Sequence, residues 1–370
     1  MSLTTKNVST TTLAIVSLVS ISLLVLVHNS YGFNPWYKHK MEAARLMQKA
    51  QQLILAEKKA KGIIINSTDD PNGSGLIGEQ YSDITTDRGI LDAKVMITNP
   101  NFAAAVVDLF KKANLKKGDV VAVGYTGSMP AANIAVLAAI EVLGLRPIII
   151  SSIGASSWGA TDPEMSWVDM ESLLHREGLI SNASVAASLG GKEDNGLGLS
   201  EESKQLMMDA IRRSNLLFIN EGNLDKNIEA RIKLYKKFAE GRPIRAYVNV
   251  GGSVASLGRS INGALIPPGL TRRLDSKYLG TKGVVIQMAK RGIPIIHLLK
   301  VRELVREYRL PELPVPLPNP GEAQTFYEEK YSVKIAAMAM TALMGTMAVL
   351  MEIDLFLLPS WMRRRKGKIK

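Results

Sequence analysis

The chain has no cysteine and only four histidines among its 370 residues. The absence of cysteine excludes disulfides, thiolate nucleophiles, iron–sulfur clusters and cysteine-based zinc sites. The histidines lie at positions 28, 39, 175 and 297, too far apart to form a spacing pattern of metal ligands. From the sequence we therefore expect neither a bound metal nor a cofactor.

Positive charge is what the sequence has in excess, with 46 Lys and Arg against 34 Asp and Glu and a net charge of +12. Nearly all of this excess lies in two blocks, at residues 36–62 and 360–370, and the stretch 63–334 is close to neutral. Both blocks lie beside apolar runs, which is typical of charges that flank membrane spans. We therefore expect a membrane protein that does not bind nucleic acid.

Two apolar runs are long enough to be such spans. Residues 13–27 carry no charge, and with the preceding threonines they approach the roughly 20 residues that a bilayer requires. Cleavage as a signal peptide near Gly32 is the alternative, and we expect retention. Residues 335–351 also carry no charge and are followed by Trp361 and the basic tail.

The charges near these runs predict the orientation in the membrane. Two spans place both termini on one side, and the cations of the tail predict that this side is cytoplasmic. The region between the spans would then be extracytoplasmic, at the cell (inner) membrane. Four cations that closely follow the first span argue for the opposite orientation: Lys38, Lys40, Arg45 and Lys49.

The pattern of apolar residues and prolines divides the chain into five segments. Apolar positions at helical spacing from Met41 to Lys61 predict a stalk helix after the first span, and alternating prolines from Pro311 predict a stiff, extended linker. The segments are an N-terminal tail and transmembrane helix (1–32), a stalk helix (33–62), an α/β body (63–310), a proline-rich linker (311–333), and a transmembrane helix with a basic cytoplasmic tail (334–370).

Five short β-branched runs separated by helical sequence predict the fold of the body. They are Val120–Val123, Ile148–Ile150, Leu216–Ile219, Ala246–Val250 and Ile293–Leu298. This alternation is typical of a parallel, doubly wound α/β sheet. Ligands of such sheets bind beyond the carboxyl ends of the strands, so the residues after each run are candidates for a site.

Polar and small residues gather after four of these runs. The loop Gly124–Pro130 could bind an anion at the start of the next helix, or could be a structural turn. The serine-rich loop after Ile150 is too long and polar for a simple connection. The candidate ligand-binding residues are Thr126, Gly127, Ser128, Asn133, Ser152, Ser156, Asp162, Asn220, Gly251, Gly252, Ser253, Arg272 and Arg273, and the candidate catalytic residues are Ser128, Asp169 and Glu221.

Two further groupings have alternatives that the sequence leaves open. The basic stretch that contains Arg259, Arg272, Arg273, Lys277 and Lys282 could receive a carboxylate-rich ligand, or could be a solvated face. A triad would combine Ser128 or Ser156 with Asp162 or Asp169 and His297, but no spacing rule connects these residues.

Several long strings resemble the poly-gamma-glutamate system protein family, whose members are bacterial membrane proteins associated with synthesis and export of that polymer. They are Glu79–Thr86, Thr98–Ala104, Gly124–Ala139, Ser151–Gly159, Asp162–Glu164 and Asp169–Glu171. The resemblance covers most of the body. It supplies neither an assigned reaction nor a set of catalytic residues.

This resemblance implies an accessory role beside the synthase and export membrane subunits. Our hypothesis is that the body binds an anionic glutamate polymer or its acceptor at the strand-end loops, and that the basic stretch from Arg259 to Lys282 assists. The alternative is a hydrolase or transferase that acts on gamma-glutamyl amide bonds. A third class is a scaffold that holds synthase subunits through its spans. The stretch from Gly118 to Ser152 is also similar to the phosphosugar-binding module of sugar isomerases, without that module's Ser-x-Ser-Gly-x-Thr loop.

Overall fold

The computed structural model describes residues 9–258, 260–275 and 282–357. It divides into two compact units, one of residues 36–326 and the other of the two chain ends that flank them. The strands are β1 Tyr31–Phe33, β2 Thr85–Asp87, β3 Val120–Thr126, β4 Arg146–Ser152, β5 Ala155–Ser156, β6 Ala186–Ser188, β7 Leu217–Phe218, β8 Ile244–Val250, β9 Gly269–Thr271, β10 Ile295–Leu298 and β11 Tyr327–Tyr331. The helices are α1 Thr10–His28, α2 Tyr37–Ala60, α3 Leu91–Met96, α4 Phe102–Lys112, α5 Pro130–Leu143, α6 Trp167–Arg176, α7 Glu201–Arg213, α8 Leu224–Ala239, α9 Val254–Leu257, α10 Ser260–Leu265, α11 Val284–Ala289, α12 Val301–Glu307 and α13 Val333–Leu357.

Seven strands of the body form one sheet in the order β7-β6-β4-β3-β8-β10-β9. All neighbouring pairs are parallel except β9, which runs antiparallel to β10. The strand order reverses direction between β3 and β8, so this is a doubly wound sheet, and the predicted fold class is confirmed. The five predicted runs lie in β3, β4, β7, β8 and β10, whereas β6 and β9 carry too little β-branched sequence to be recognised.

Helices cover both faces of the sheet. One face contributes Val121, Val123 and Tyr125 to the larger core, which α2, α4 and α5 complete. The other face contributes Val120, Ala122 and further side chains to a smaller core beneath α8 and α11. Central strands buried on both faces account for their continuous apolar sequence.

The helix predicted as a stalk is part of the body. In α2 the side chains of Ala43, Ala44, Met47 and Ile54 are fully buried, and the helix packs against α4 and α5. The compact body therefore begins at Trp36 rather than at residue 63. The difference arises because helical spacing reveals an apolar stripe but not the surface that the stripe covers.

The proline-rich segment runs along the same unit. The side-chain amides of Asn72 and Asn101 donate to the backbone oxygens of Pro314 and Asn319, at 2.9 and 3.0 Å. Tyr37 and Phe326 then meet edge to face near the two ends of the body. The chain thus enters and leaves the body at neighbouring points.

The other unit contains the two apolar helices. The windows Thr10–His28 and Val333–Leu350 are long and apolar enough to cross a membrane, and only 6% of each is buried within the structure. Such low burial distinguishes them from the core helices of a soluble fold. The helices α1 and α13 pack together, and β1 pairs with β11 in an antiparallel ribbon. The basic tail from residue 358 lies outside the described residues.

Candidate functional site

The loops at the switch between β3 and β8 approach each other closely. A Cβ atom on Gly251 would lie 2.4 Å from Oγ1 of Thr126, and the φ of Gly251 is +83°, so only glycine fits here. The Thr126 hydroxyl is buried and has no hydrogen-bond partner among the described residues, and neither has the Ser253 hydroxyl. The carboxyl edge therefore keeps unsatisfied polar groups at the place where doubly wound sheets bind ligands.

A buried ion pair lies beside these loops, in the neighbouring part of the same edge. The guanidinium of Arg231 donates to both carboxylate oxygens of Asp194, at 3.1 and 3.0 Å, and both side chains are at most 2% exposed. Arg231 also donates to the hydroxyls of Ser152 and Ser188, at 3.0 and 2.6 Å. Ser152, a predicted ligand-binding residue, is thus committed to an internal network that joins β4, β6 and α8.

A second cluster lies where the β3–α5 loop and strand β5 meet helix α3. The Nζ atom of Lys94 donates to Oγ of Ser156 at 3.0 Å and to the backbone oxygen of Ser128. The Ser128 hydroxyl in turn accepts the backbone N–H of Ser156 at 2.9 Å. Ser128 and Ser156, which the sequence singled out, therefore lie together, and Lys94 joins them although no sequence motif marked it.

Lys94 differs from the other buried lysines because, among the described residues, no carboxylate offsets the effect of its burial. Lys40 lies 2.9 Å from Asp108, and Asp162 and Asp70 act on Lys58 electrostatically. For Lys94, burial without such compensation lowers the pKa to about 7. Near neutral pH this amine is therefore about half deprotonated.

Most of the remaining predicted residues make local structural contacts. Asn133 donates to the backbone oxygen of Thr126 at 2.9 Å, and Gly127 approaches the backbone of Ile153 too closely for a side chain. Asp162 accepts the N–H of Glu164 at 2.8 Å. Asn220, Glu221 and Gly252 are exposed.

The structure does not assemble the triad that the sequence left open. Asp169 caps α6 through Ser166 and pairs with Arg213 at 3.1 Å. Nδ1 of His297 lies 2.9 Å from the Asn249 amide, and burial lowers the His297 pKa to about 4, so the ring is neutral at physiological pH. Asp169 and His297 thus each have structural partners, and neither is placed against a serine nucleophile by these contacts.

Arg272 and Arg273 lie on the opposite edge from the carboxyl-edge loops. Strand β9 runs antiparallel, with Gly269 opposite His297 and Thr271 opposite Ile295, so the two arginines emerge at the amino ends of the parallel strands. Arg272 donates there to the backbone oxygen of Lys112 at the end of α4. Lys282 pairs with Asp225 at the start of α8, and Arg259 and Lys277 lie outside the described residues.

The amino ends of the strands β4, β3, β8 and β10 and the carboxyl end of β9, with the helix ends beside them, carry a concentration of exposed cations that we call the basic edge. Its members are Lys112, Lys116, Lys117, Arg146, Lys236, Lys237, Arg242, Arg245, Arg272, Arg273, Lys290 and Arg291. The carboxylates described near it are fewer and include Asp108, Asp119, Glu141, Glu240, Asp275 and Glu307. An open depression of about 270 Å³ on this edge has Lys236 and Arg242 in its lining, together with Ile244 and Ile293.

The described residues contain no group of three or more His, Asp and Glu side chains placed to hold a metal ion. A scan against family models finds no match to this chain, and searches among curated proteins and solved structures find no significant similarity.

Proposed function

We propose that this protein is a membrane-anchored accessory component of poly-gamma-glutamate synthesis or export, and that it binds the anionic polymer, or its anionic acceptor, along the basic edge. The observation that carries the proposal is the concentration of exposed cations across five neighbouring strands. The resemblance of the loop sequences supplies the identity of the polymer. The two apolar helices supply the membrane anchor.

The helix dipole accounts for the positions of only some cations of the basic edge. Lysines are favoured in the last turn of a helix, and Lys112, Lys236 and Lys237 occupy such turns. No dipole accounts for the arginines at the strand ends, among them Arg146, Arg245 and Arg273. Guanidinium groups bind carboxylates through paired hydrogen bonds, which suits a surface that receives a carboxylate-rich chain.

The dimensions of the basic edge also suit a polymer. Five adjacent strands span roughly 19 Å at about 4.8 Å per spacing. A gamma-linked glutamate chain carries one free carboxylate per residue, so several carboxylates would lie against the edge at once. Binding through many weak contacts would let the chain slide during export, and salt would weaken it.

Binding measurements on the full-length protein in nanodiscs of zwitterionic lipid test this proposal. The test variant combines Arg242→Gln, Arg245→Gln and Arg273→Gln. The matched control combines Arg88→Gln, Lys192→Gln and Lys226→Gln, which removes the same charge from exposed positions away from the basic edge. We expect the test variant to lose about tenfold in affinity for poly-gamma-glutamate at low salt, and the control about twofold or less.

Equal losses in the two variants would show that only net charge matters and would contradict the proposal, as would the absence of polymer binding by the unmodified protein. A further comparison uses vesicles of anionic lipid. If the Arg242, Arg245 and Arg273 substitutions weaken vesicle binding but leave polymer binding unchanged, the basic edge is a lipid-binding surface and the proposed function is wrong.

A further inference from the structure

The cluster around Lys94 is unexplained by polymer binding at the basic edge, since it lies among the carboxyl-edge loops. Lys94 is 4% exposed, and among the described residues its hydrogen-bond partners are a hydroxyl and a backbone oxygen. The carboxylates near Lys94 in sequence interact with other groups. Asp92 pairs with Arg302 of α12 at 3.2 Å, and Asp87 accepts the N–H of Arg88. A buried amine that lacks a carboxylate destabilises a fold, so such an amine is a candidate for a chemical role.

The serine beside this amine is not fully buried. Ser156 is partly exposed, while the amine behind it is buried. The Ser128 hydroxyl fixes the Ser156 backbone, and a Cβ atom on Gly89 would lie 3.0 Å from Cε of Lys94 and 3.3 Å from Oγ of Ser156. Lys94 contacts the Ser128 carbonyl rather than its hydroxyl, so the geometry favours Ser156 over Ser128 as a nucleophile.

Two further features lie beside Ser156. Trp158 has a left-handed backbone with φ of +61°, and its buried indole N–H has no partner among the described residues. Strained backbone and unsatisfied donors of this kind are concentrated at functional sites. The 14-residue helix α5 begins two residues after Ser128, so the positive end of its dipole faces the same loop.

We propose that Ser156 and Lys94 form a serine–lysine pair that cleaves or transfers acyl groups from amides and esters. Neutral Lys94 takes the proton of the Ser156 hydroxyl as Oγ attacks the carbonyl carbon. The carbon–nitrogen or carbon–oxygen bond of the substrate then breaks, and Lys94 returns this proton to the leaving group. Lys94 then takes a proton from water or an amine, which attacks the resulting ester of Ser156. The acyl product is released, and Lys94 returns this proton to Oγ, which restores the hydroxyl.

The assignment of gamma-glutamyl amides as the natural substrate rests on the proposed function, whereas the serine–lysine pair itself does not. A protein with both features would hold the polymer on one edge and cut or transfer it on the other. The experiment below therefore uses a probe that is independent of the polymer.

Covalent labelling with a fluorophosphonate, which reacts with activated serine hydroxyls, tests the pair in the full-length protein in detergent. We expect one adduct per chain at Ser156, with a labelling rate that rises through about pH 7 as Lys94 loses its proton. Labelling should be lost in Ser156→Ala and fall at least about a hundredfold in Lys94→Met. Ser181→Ala, which removes an exposed hydroxyl remote from the cluster, should label like the unmodified protein.

Two results would contradict the serine–lysine pair. The first is a labelling rate no higher than that of the heat-unfolded chain. The second is an unchanged labelling rate in Lys94→Met, provided that this variant still unfolds cooperatively on heating. Incubation with poly-gamma-glutamate then separates the two proposals. Polymer shortening that Ser156→Ala abolishes supports both of them. Labelling of Ser156 without polymer binding supports the pair and contradicts the proposed function.

Discussion

At position 94 the chain places a lysine directly before three buried apolar residues, Val95, Met96 and Ile97. In sequence this lysine is one cation among 46, and nothing in its spacing relates it to the serines at 128 and 156. Only the fold brings these three residues together, since α3 is remote in sequence from the β3 and β4 loops. The serines could therefore be predicted from the sequence, whereas their amine partner could not.

Replacing Lys94 by methionine should stabilise the protein at neutral pH. The folded chain holds the Lys94 pKa at about 7, below its ordinary value of 10.5, so the unfolded chain binds a proton that the folded chain does not between these pH values. The unmodified protein thus loses stability as pH falls from about 10.5 to about 7, at about 1.4 kcal/mol per unit at most. Methionine has no such dependence.

Thermal unfolding at pH 7 and at pH 10 measures this effect. Lys94→Met should unfold at a temperature several degrees higher at pH 7, and the difference should shrink at pH 10. A lower unfolding temperature for the variant at pH 7 would mean that the folded protein stabilises the charged lysine, against our assignment.

At the scale of elements, the regular alternation of the central strands was predictable, but two placements were not. The run Gly269–Thr271 has no sequence signal for direction, and its antiparallel course carries Arg272 and Arg273 to the amino ends of the strands. The spacing of α2 predicts a helix but not its burial. Direction and burial depend on tertiary contacts, which local sequence does not encode.

The burial of α2 predicts that its apolar stripe stabilises the body. Met47 is fully buried, whereas Gln52 on the same helix is exposed. We expect Met47→Ala to lower the free energy of unfolding by about 2 to 5 kcal/mol and Gln52→Ala to change it by less than about 0.5 kcal/mol. Denaturant unfolding of the two variants checks this, and an equal, small effect would show that α2 is a spacer.

At the scale of the whole molecule, we predict that the body lies outside the cell and both termini inside. One of the cations that argues for the opposite orientation, Lys40, is buried beside Asp108 and is no longer a surface charge.

The absence of cysteine makes labelling simple. A cysteine introduced by Lys233→Cys should react with an impermeant maleimide in intact cells, and one introduced by Gly367→Cys should react only after lysis; the reverse pattern would invert the topology.

The net charge of +12 thus arises almost entirely from residues 36–62 and 360–370. The stretch 63–334, which contains the basic edge, is close to neutral in total, so its remaining residues carry a net negative charge. The sequence suggested a basic stretch from residue 251 onward, but the fold distributes it over both edges of the sheet. The fold also brings to the basic edge several cations that are distant from this stretch in sequence, such as Lys116 and Arg146.

Carbodiimide cross-linking of poly-gamma-glutamate to the full-length protein tests the central claim most directly, because it joins polymer carboxylates only to amines that they touch. We expect cross-links at lysines of the basic edge, foremost Lys116, Lys117, Lys236 and Lys237. Excess unactivated polymer or high salt should suppress these cross-links. Cross-links confined to lysines at the carboxyl edge, such as Lys192 and Lys226, would contradict this claim.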